Sequence, residues 1–595
     1  MRKLLIIFFL LVGFSLQAQK TWYVDDDGSD ITGDGTSGNP WKTISYAIGE
    51  ATGVGKIFIY PGIYPEGSMI NHPINITLEG FSKDQVRVES SLGAASDPLF
   101  KLETSNGWLG TYGNQTISGI TFDGNNMTYA CFHVNFRSNV VFQNCDFVNF
   151  TYNAITFYGM PMSEWGATSV FEPDRTMPEY FCTGNKISHC TFTNCTQGTG
   201  NGQINIGQQD GVEISYNEIY QPIKGSGGNC GGVKFKADGY NKNTNMHHNS
   251  IIVDLNSANS FNFSIEMWYE LGGCEYSHNV FQGGTDFDAA VKGSSDYSIW
   301  FHHNEVGYPT HQRSNHYGIN LEASCSDVIF EKNYVHHVKA AVYVSQIWPI
   351  LTGSGRNRHP YTNELSNIRI STNLFTDIGR LAGGGDWEPI YGVYFGRSSK
   401  VVDITTLDNI TVDNNVIECT AVTPYSYYVT GIWLPNANTI VNDLRIRNNI
   451  IIGFDGGSAF SAPIFGTGLY CSNDINDLYI QKNLCYENGN SNNTLLVSGY
   501  APAPYTYDTH IKLDPLFETD YHLQEGSPAI GAGMWVDLLK DYEDKDFYNP
   551  PSFGVYETGT AEPEPDPGPE PEPSGSKTLK LDGKIIKYNG KIIKY

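Results

Sequence analysis

The feature that most limits what this chain can fold into is a short pattern that returns four times between Gly231 and Gln346. Its copies are Gly232-Val233-Lys234-Phe235-Lys236, Ser264-Ile265-Glu266-Met267-Trp268, Ala290-Val291-Lys292-Gly293-Ser294 and Gly318-Ile319-Asn320-Leu321-Glu322. Aliphatic and polar residues alternate, so side chains point in turn to the two faces of a strand. A second motif, aliphatic-x-x-Asn-x-aliphatic, follows each copy. Its Asn, or a replacement, falls at Cys145, Cys190, Asn217, Asn249, Asn279, Asn304, Asn333, Asn373, Asn415, Asn449 and Asn483. From Asn217 to Asn333 the steps are 32, 30, 25 and 29 residues, then 40, 42, 34 and 34. A strand–turn–strand unit at a nearly fixed period is a solenoid. Asn suits the corner because it tolerates the left-handed conformation and can bond from coil to coil. The expected fold is all-β: a single right-handed parallel β-helix, the hand following from the chirality of parallel crossovers.

Residues 1–18 carry Arg2 and Lys3, then an apolar run, then small residues, the pattern of a cleaved export signal. The run is too short to span a bilayer. A secreted, periplasmic or cell-surface protein with no membrane span is therefore expected. The 595 residues divide into a β-helix over 19–558, a Pro/Glu-rich linker over 559–576, and a Lys-rich tail over 577–595. Asp-Gly and Asn-Gly turns between alternating residues make that tail a small β-meander. A formal net charge of −26 argues against nucleic acid or an anionic membrane as partner. The 11 cysteines lack metal-ligand spacing and read as buried thiols.

Near the start stand Tyr23-Val24-Asp25-Asp26-Asp27-Gly28, Pro40-Trp41-Lys42-Thr43-Ile44 and Ile57-Phe58-Ile59-Tyr60-Pro61-Gly62. Between Trp41 and Ala51, Ile44, Ala47 and Ile48 share one face of a helix, which would cap the open end of the solenoid. Near the other end stand Asp514-Pro515-Leu516-Phe517, Gly526-Ser527-Pro528-Ala529-Ile530-Gly531 and Phe553-Gly554-Val555-Tyr556-Glu557. Both ends resemble the first and closing coils of secreted proteins of the pectin-lyase-like superfamily. The resemblance implies the fold and a carbohydrate partner; the chemistry varies among lyases, hydrolases, epimerases and adhesins.

In the register read from the sequence, Thr156, Asn205, Lys234, Glu266, Lys292, Asn320, Tyr343, Tyr394 and Trp433 share one outward row. Lys236, Trp268, Ser294 and Glu322 lie in the next row, and Arg397 joins the same groove. Asn205, Trp268, Asn320, Tyr343, Tyr394, Arg397 and Trp433 read as substrate contacts, since flat rings stack on sugars. Three lysines converging on an acidic body suit a uronic-acid or sulfated polysaccharide. The expected chemistry leans to β-elimination, with Lys234, Lys236 or Lys292 as base. Lys236 lies in a strand resembling the one that carries the lysine base of family-nine pectate lyases. Their acidic calcium cluster is replaced here by Gly231-Gly232 and Ser264-Ile265. No cofactor is firmly indicated; calcium is the one the resemblance brings in. The alternative is inverting hydrolysis by Glu266 and Glu322, whose backbones lie about 12 Å apart by strand geometry. Asp238, Glu270 and Asp296 are further acids beside turns. A non-catalytic glycan-binding adhesin or fibre is the third reading, and a monomer is expected. His302-His303 and His336-His337 read as structural, because no matching carboxylates are apparent beside them.

Overall fold

The computed structural model describes residues 19–558 apart from 94–96, 104–110, 160–179, 198–201, 222–229, 236–239, 254–262, 269, 289, 311–316, 322–324, 347–363, 380–388, 398–404, 422–427, 435–438, 456–459, 468–476, 489–495, 499–504, 508–509 and 539. The signal, linker and meander expectations lie outside the described residues. The strands form three long sheets of 16, 14 and 14 strands. Each coil visits them in the same order. Asn245–His247 lies in the first sheet, Ser250–Val253 in the second and Phe263–Met267 in the third. Cys274–Ser277 then returns to the first sheet, parallel to Asn245–His247. The chain is a right-handed parallel β-helix, as the recurrence implies.

The corner between the first and second sheets carries the asparagine column. Asn304 shows its chemistry in full. Its Oδ1 accepts from Asn279 N and Nδ2, both at 3.0 Å, and its Nδ2 donates to Tyr276 O (2.8 Å) and Asn333 Oδ1 (3.2 Å). The same bonds link Asn217, Asn249, Asn279, Asn304, Asn333, Asn373, Asn415, Asn449 and Asn483. The reason given above for Asn needs one correction. The left-handed residue is the one before it: His248, His278, His303, Lys332, Thr372, Asn414, Asn448 and Lys482 have φ between 50° and 57°. The ladder residue is there for its amide, which satisfies buried backbone groups of the neighbouring coil.

Inside, aromatic rings stack from coil to coil, as in Phe122–Phe147–Phe192 with centroids 5.4 and 4.9 Å apart. The helix spans Ile44–Glu50, shorter than the periodic stretch. Thr43 caps it by accepting from Tyr46 N at 3.2 Å, and Ile44, Ala47 and Ile48 are buried against the first coil. The C-terminal segment does not complete a closing coil. Ile511 bridges Leu484, and the chain then runs back outside the second sheet. There Leu523, Ala529, Phe553 and Val555 cover Leu374, Val416, Ile450 and Leu484. Asn414 Nδ2 donates to the carbonyls of Ser552 (3.0 Å) and Gly554 (3.1 Å), fixing the segment to the corner. The ten described cysteines are buried, Cys145 and Cys190 among them.

Candidate functional site

The outward face of the third sheet presents one continuous row. In register it reads Lys101, His133, Thr156, Asn205, Lys234, Glu266, Asp286, Asn320, Tyr343, Tyr394, Trp433 and Phe465. The alternate residues Val233, Phe235, Ile265, Met267, Ile319 and Leu321 point into the core. That alternation is what turns Lys234 and Glu266 outward.

At the centre, Lys234 Nζ lies 2.5 Å from Glu266 Oε2, and the indole N–H of Trp268 donates to Glu266 Oε1 at 2.7 Å. The ammonium and this carboxylate form an ion pair almost wholly out of solvent. It also stands 5.5 Å from the centroid of the Trp268 ring. One coil on, Asn320 Nδ2 donates to Asp286 Oδ1 at 2.9 Å. Glu266 and Asp286 are direct strand partners, each 3% exposed. Water is thus largely kept from both carboxyls, and their fields are correspondingly strong.

Asp286 takes the place assigned above to Lys292. The coil from Asn279 to Asn304 is the shortest step of the asparagine column, at 25 residues, and its third-sheet strand is Gly284–Phe287. That strand follows Val280–Gln282 through Gly283 alone. A Cβ at Gly283 would meet Ser264 Oγ at 2.5 Å, so only glycine makes this turn. Lys292 lies beyond the strand, half exposed, paired with Asp327 at 3.2 Å. The signal was present: Thr285-Asp286-Phe287 repeats the β-branched, polar, apolar order of Ile265-Glu266-Met267.

Lys236, Glu322, Asp238 and the side chain of Arg397 lie outside the described residues. Asn205 accepts from Gly202 N at 3.2 Å and reaches Thr156 Oγ1 at 3.4 Å. Tyr343 stacks on Tyr394 with centroids 4.5 Å apart, and Tyr317 on Tyr343 at 4.3 Å. Trp433 is buried rather than exposed, 4.6 Å from Phe465. These rings form a self-stacked ladder with Tyr391, whose hydroxyl, like that of Tyr394, is pushed above the usual tyrosine range by burial. Glu270 is wholly buried at a corner, accepting from Cys274 Sγ (2.8 Å) and Tyr276 Oη (3.4 Å). Burial pushes its carboxyl up to about 8. Asp296 lines a separate 280 Å³ cavity with Asp327, Arg369 and Arg445. Among the described residues the three-carboxyl cluster able to hold a metal is Asp25, Asp26 and Asp27, at the far N-terminal end from the row. Asp25 accepts from Asp27 N and Asp26 from Ile63 N, so both serve the backbone.

No protein-family model matches the chain, and no curated protein matches it in sequence. Solved structures do. XylC, solved with xylose, is similar over 91% of this chain and 99% of its own, at 10% identity and TM-score 0.34. A tailspike of the E. coli bacteriophage HK620, solved with a pentasaccharide, gives 82% and 80% coverage, 13% identity and TM-score 0.40. The A-module of Azotobacter vinelandii mannuronan C-5 epimerase AlgE4 gives 72% and 92%, 13% and 0.34. At such identities and scores the likeness does not reach the chemistry of the row. Among the described residues no helix is long and apolar enough to cross a membrane.

Proposed function

We propose that this chain is an exported carbohydrate-active enzyme that hydrolyses a polysaccharide along the third sheet, with Glu266 and Asp286 as its two working carboxyls. The observation carrying the reading is their register pairing, in unlike surroundings. Glu266 is held by an ammonium and an indole N–H, Asp286 by a side-chain amide. Two carboxyls in different settings, about 4.8 Å apart at the backbone, are what acid–base cleavage of a glycosidic bond uses. One protonates the leaving oxygen while the other attacks the sugar carbon or activates water. Lys234 and Trp268 orient Glu266, and Asn320 orients Asp286.

The position of Lys292 moves the balance away from β-elimination. With Asp286 in the row in place of Lys292, Lys234 faces two carboxyls at its centre, which weakens the electrostatic motive for an anionic substrate. Lys234 is itself engaged by Glu266, which makes it a positioning group rather than a base. A neutral or weakly charged glycan fits this row better.

The test is to incubate the full chain with neutral and uronic-acid polysaccharides. New reducing ends without unsaturated products, lost in both Glu266→Gln and Asp286→Asn, support hydrolysis. Absorbance from unsaturated ends would instead mean elimination, and retention without cleavage would mean a binding protein. N-terminal sequencing of the secreted chain tests export; an intact Met1 would sink that part.

A further inference from the structure

One three-part arrangement occurs three times on the corners and is not used by the proposed chemistry. His302 Nδ1 lies 2.8 Å from His303 Nδ1, while His302 Nε2 meets Glu275 Oε1 of the preceding coil at 3.2 Å. His336 Nδ1 lies 2.8 Å from His337 Nδ1, and His336 Nε2 meets Glu305 Oε1 at 3.2 Å. His247 Nδ1 lies 3.0 Å from His248 Nδ1, and His247 Nε2 is 3.7 Å from Glu213 Oε1. The backbone explains the repetition. The first histidine ends a strand, and the second is left-handed, with φ of 52°, 53° and 55° at His303, His337 and His248. That step turns consecutive rings nearly perpendicular, at 82°, 83° and 89°, and brings the two Nδ1 atoms together. The glutamate sits two residues back on the neighbouring coil, so stacking supplies it diagonally.

We infer that these His–His pairs are binding sites for a divalent transition ion that prefers tetragonal nitrogen coordination, copper(II) or nickel(II). The nitrogen separation decides the geometry. With metal–nitrogen bonds of about 2.0–2.1 Å, two cis ligands at a right angle stand about 2.9 Å apart, whereas tetrahedral ligands stand about 3.3–3.4 Å apart. The three pairs measure 2.8, 2.8 and 3.0 Å. At His302 and His336 a carboxylate on the distal Nε2 fixes the ring and its tautomer, leaving Nδ1 with its lone pair for a metal. The carboxylates that seemed missing from the sequence are therefore present, contributed by the neighbouring coil rather than by the local chain. His247 and His248 are the most open pair, with His248 exposed, and should load first. Water would complete each coordination sphere.

The corner supplies its own control. Asn144, Asn414 and Asn448 hold the left-handed position of His248 and His303 elsewhere in the column, and Asn149 and Asn194 hold that of His337. His248→Asn, His303→Asn and His337→Asn should therefore fold normally. Isothermal titration of the tag-free full chain with copper(II) should show up to three equivalents, with two-nitrogen splitting in the electron paramagnetic resonance spectrum. Each single variant should lose one equivalent and the triple variant all of them, at unchanged melting temperature. Glu275→Gln should weaken the His302–His303 site by about 10–100-fold. Equal copper uptake by the parent and the triple variant would overturn the inference, as would zinc binding the pairs more tightly than copper. The close nitrogens would then be ordinary imidazole hydrogen bonds.

Discussion

Two columns of polar side chains run along this molecule at the same coil-to-coil spacing, and they behave oppositely. In the asparagine corner every member is alike, and Asn304 uses all four of its amide bonds on its neighbours. In the third-sheet row the members change from coil to coil: lysine, glutamate, aspartate and asparagine follow one another, with the two carboxyls side by side. A uniform column consumes its own hydrogen-bonding capacity and can only hold coils together. A mixed column concentrates charge at one place, which a structural ladder has no need to do. The difference separates scaffold from site without reference to any other protein.

The largest effect expected from this contrast is on turnover. Glu266→Gln or Asp286→Asn should lower kcat by about 10²–10⁴-fold, the usual contribution of a proton-transfer group. Glu266→Gln also takes the counter-charge from the buried Lys234 ammonium, so turnover is compared per folded molecule. A variant that keeps full activity would return the row to a structural ladder.

In the uniform column the same kind of change should act on stability alone. Asn304→Ala leaves the Asn279 amide groups and the Tyr276 carbonyl without their partner inside the corner. Each buried orphan costs about 1–3 kcal/mol, so a total loss of about 2–4 kcal/mol is expected after local relaxation. Denaturant unfolding reads it; activity per folded molecule should be unaltered.

Glu270 provides an effect confined to one pH range and with a definite sign. Its carboxyl is pushed to about 8 by burial, against 4.5 in the unfolded chain. Between those values the folded state holds a proton that the unfolded state has released. Its contribution is thus complete below about pH 4.5 and falls as pH rises towards 8. Glu270→Gln removes this dependence. The variant should gain on the order of 4–5 kcal/mol over the parent at pH 8 and nothing at pH 4.5. Parallel melting curves across that range would refute it.

What could be read from the sequence follows the same division. The ladder asparagines and the helix face of Ile44, Ala47 and Ile48 were legible because each follows from a local period. The place of Asp286 in the row was not, because in this coil the second- and third-sheet strands are joined by Gly283 alone and Val291-Lys292-Gly293 carries a similar local pattern just beyond. Trp433 was read as exposed because burial by stacked neighbours depends on rings from adjacent coils. The glutamates beside the histidine pairs escaped for a related reason: they come from 27 to 34 residues upstream, joined only when coils stack.

The smallest effect tests the place of Asp286 directly. Lys292 and Asp286 compete for one place in the row, and only one can matter to the site. Lys292 is 49% exposed on its side chain and pairs with Asp327, itself 13% exposed, on another corner. A half-exposed pair of this kind contributes about 0–1 kcal/mol. Lys292→Ala should therefore leave kcat and KM within twofold of the parent and shift the unfolding midpoint barely measurably. If it instead costs turnover as heavily as Asp286→Asn, the short coil carries its working residue after the strand rather than in it. The basic patch, and elimination with it, would then regain the stronger claim.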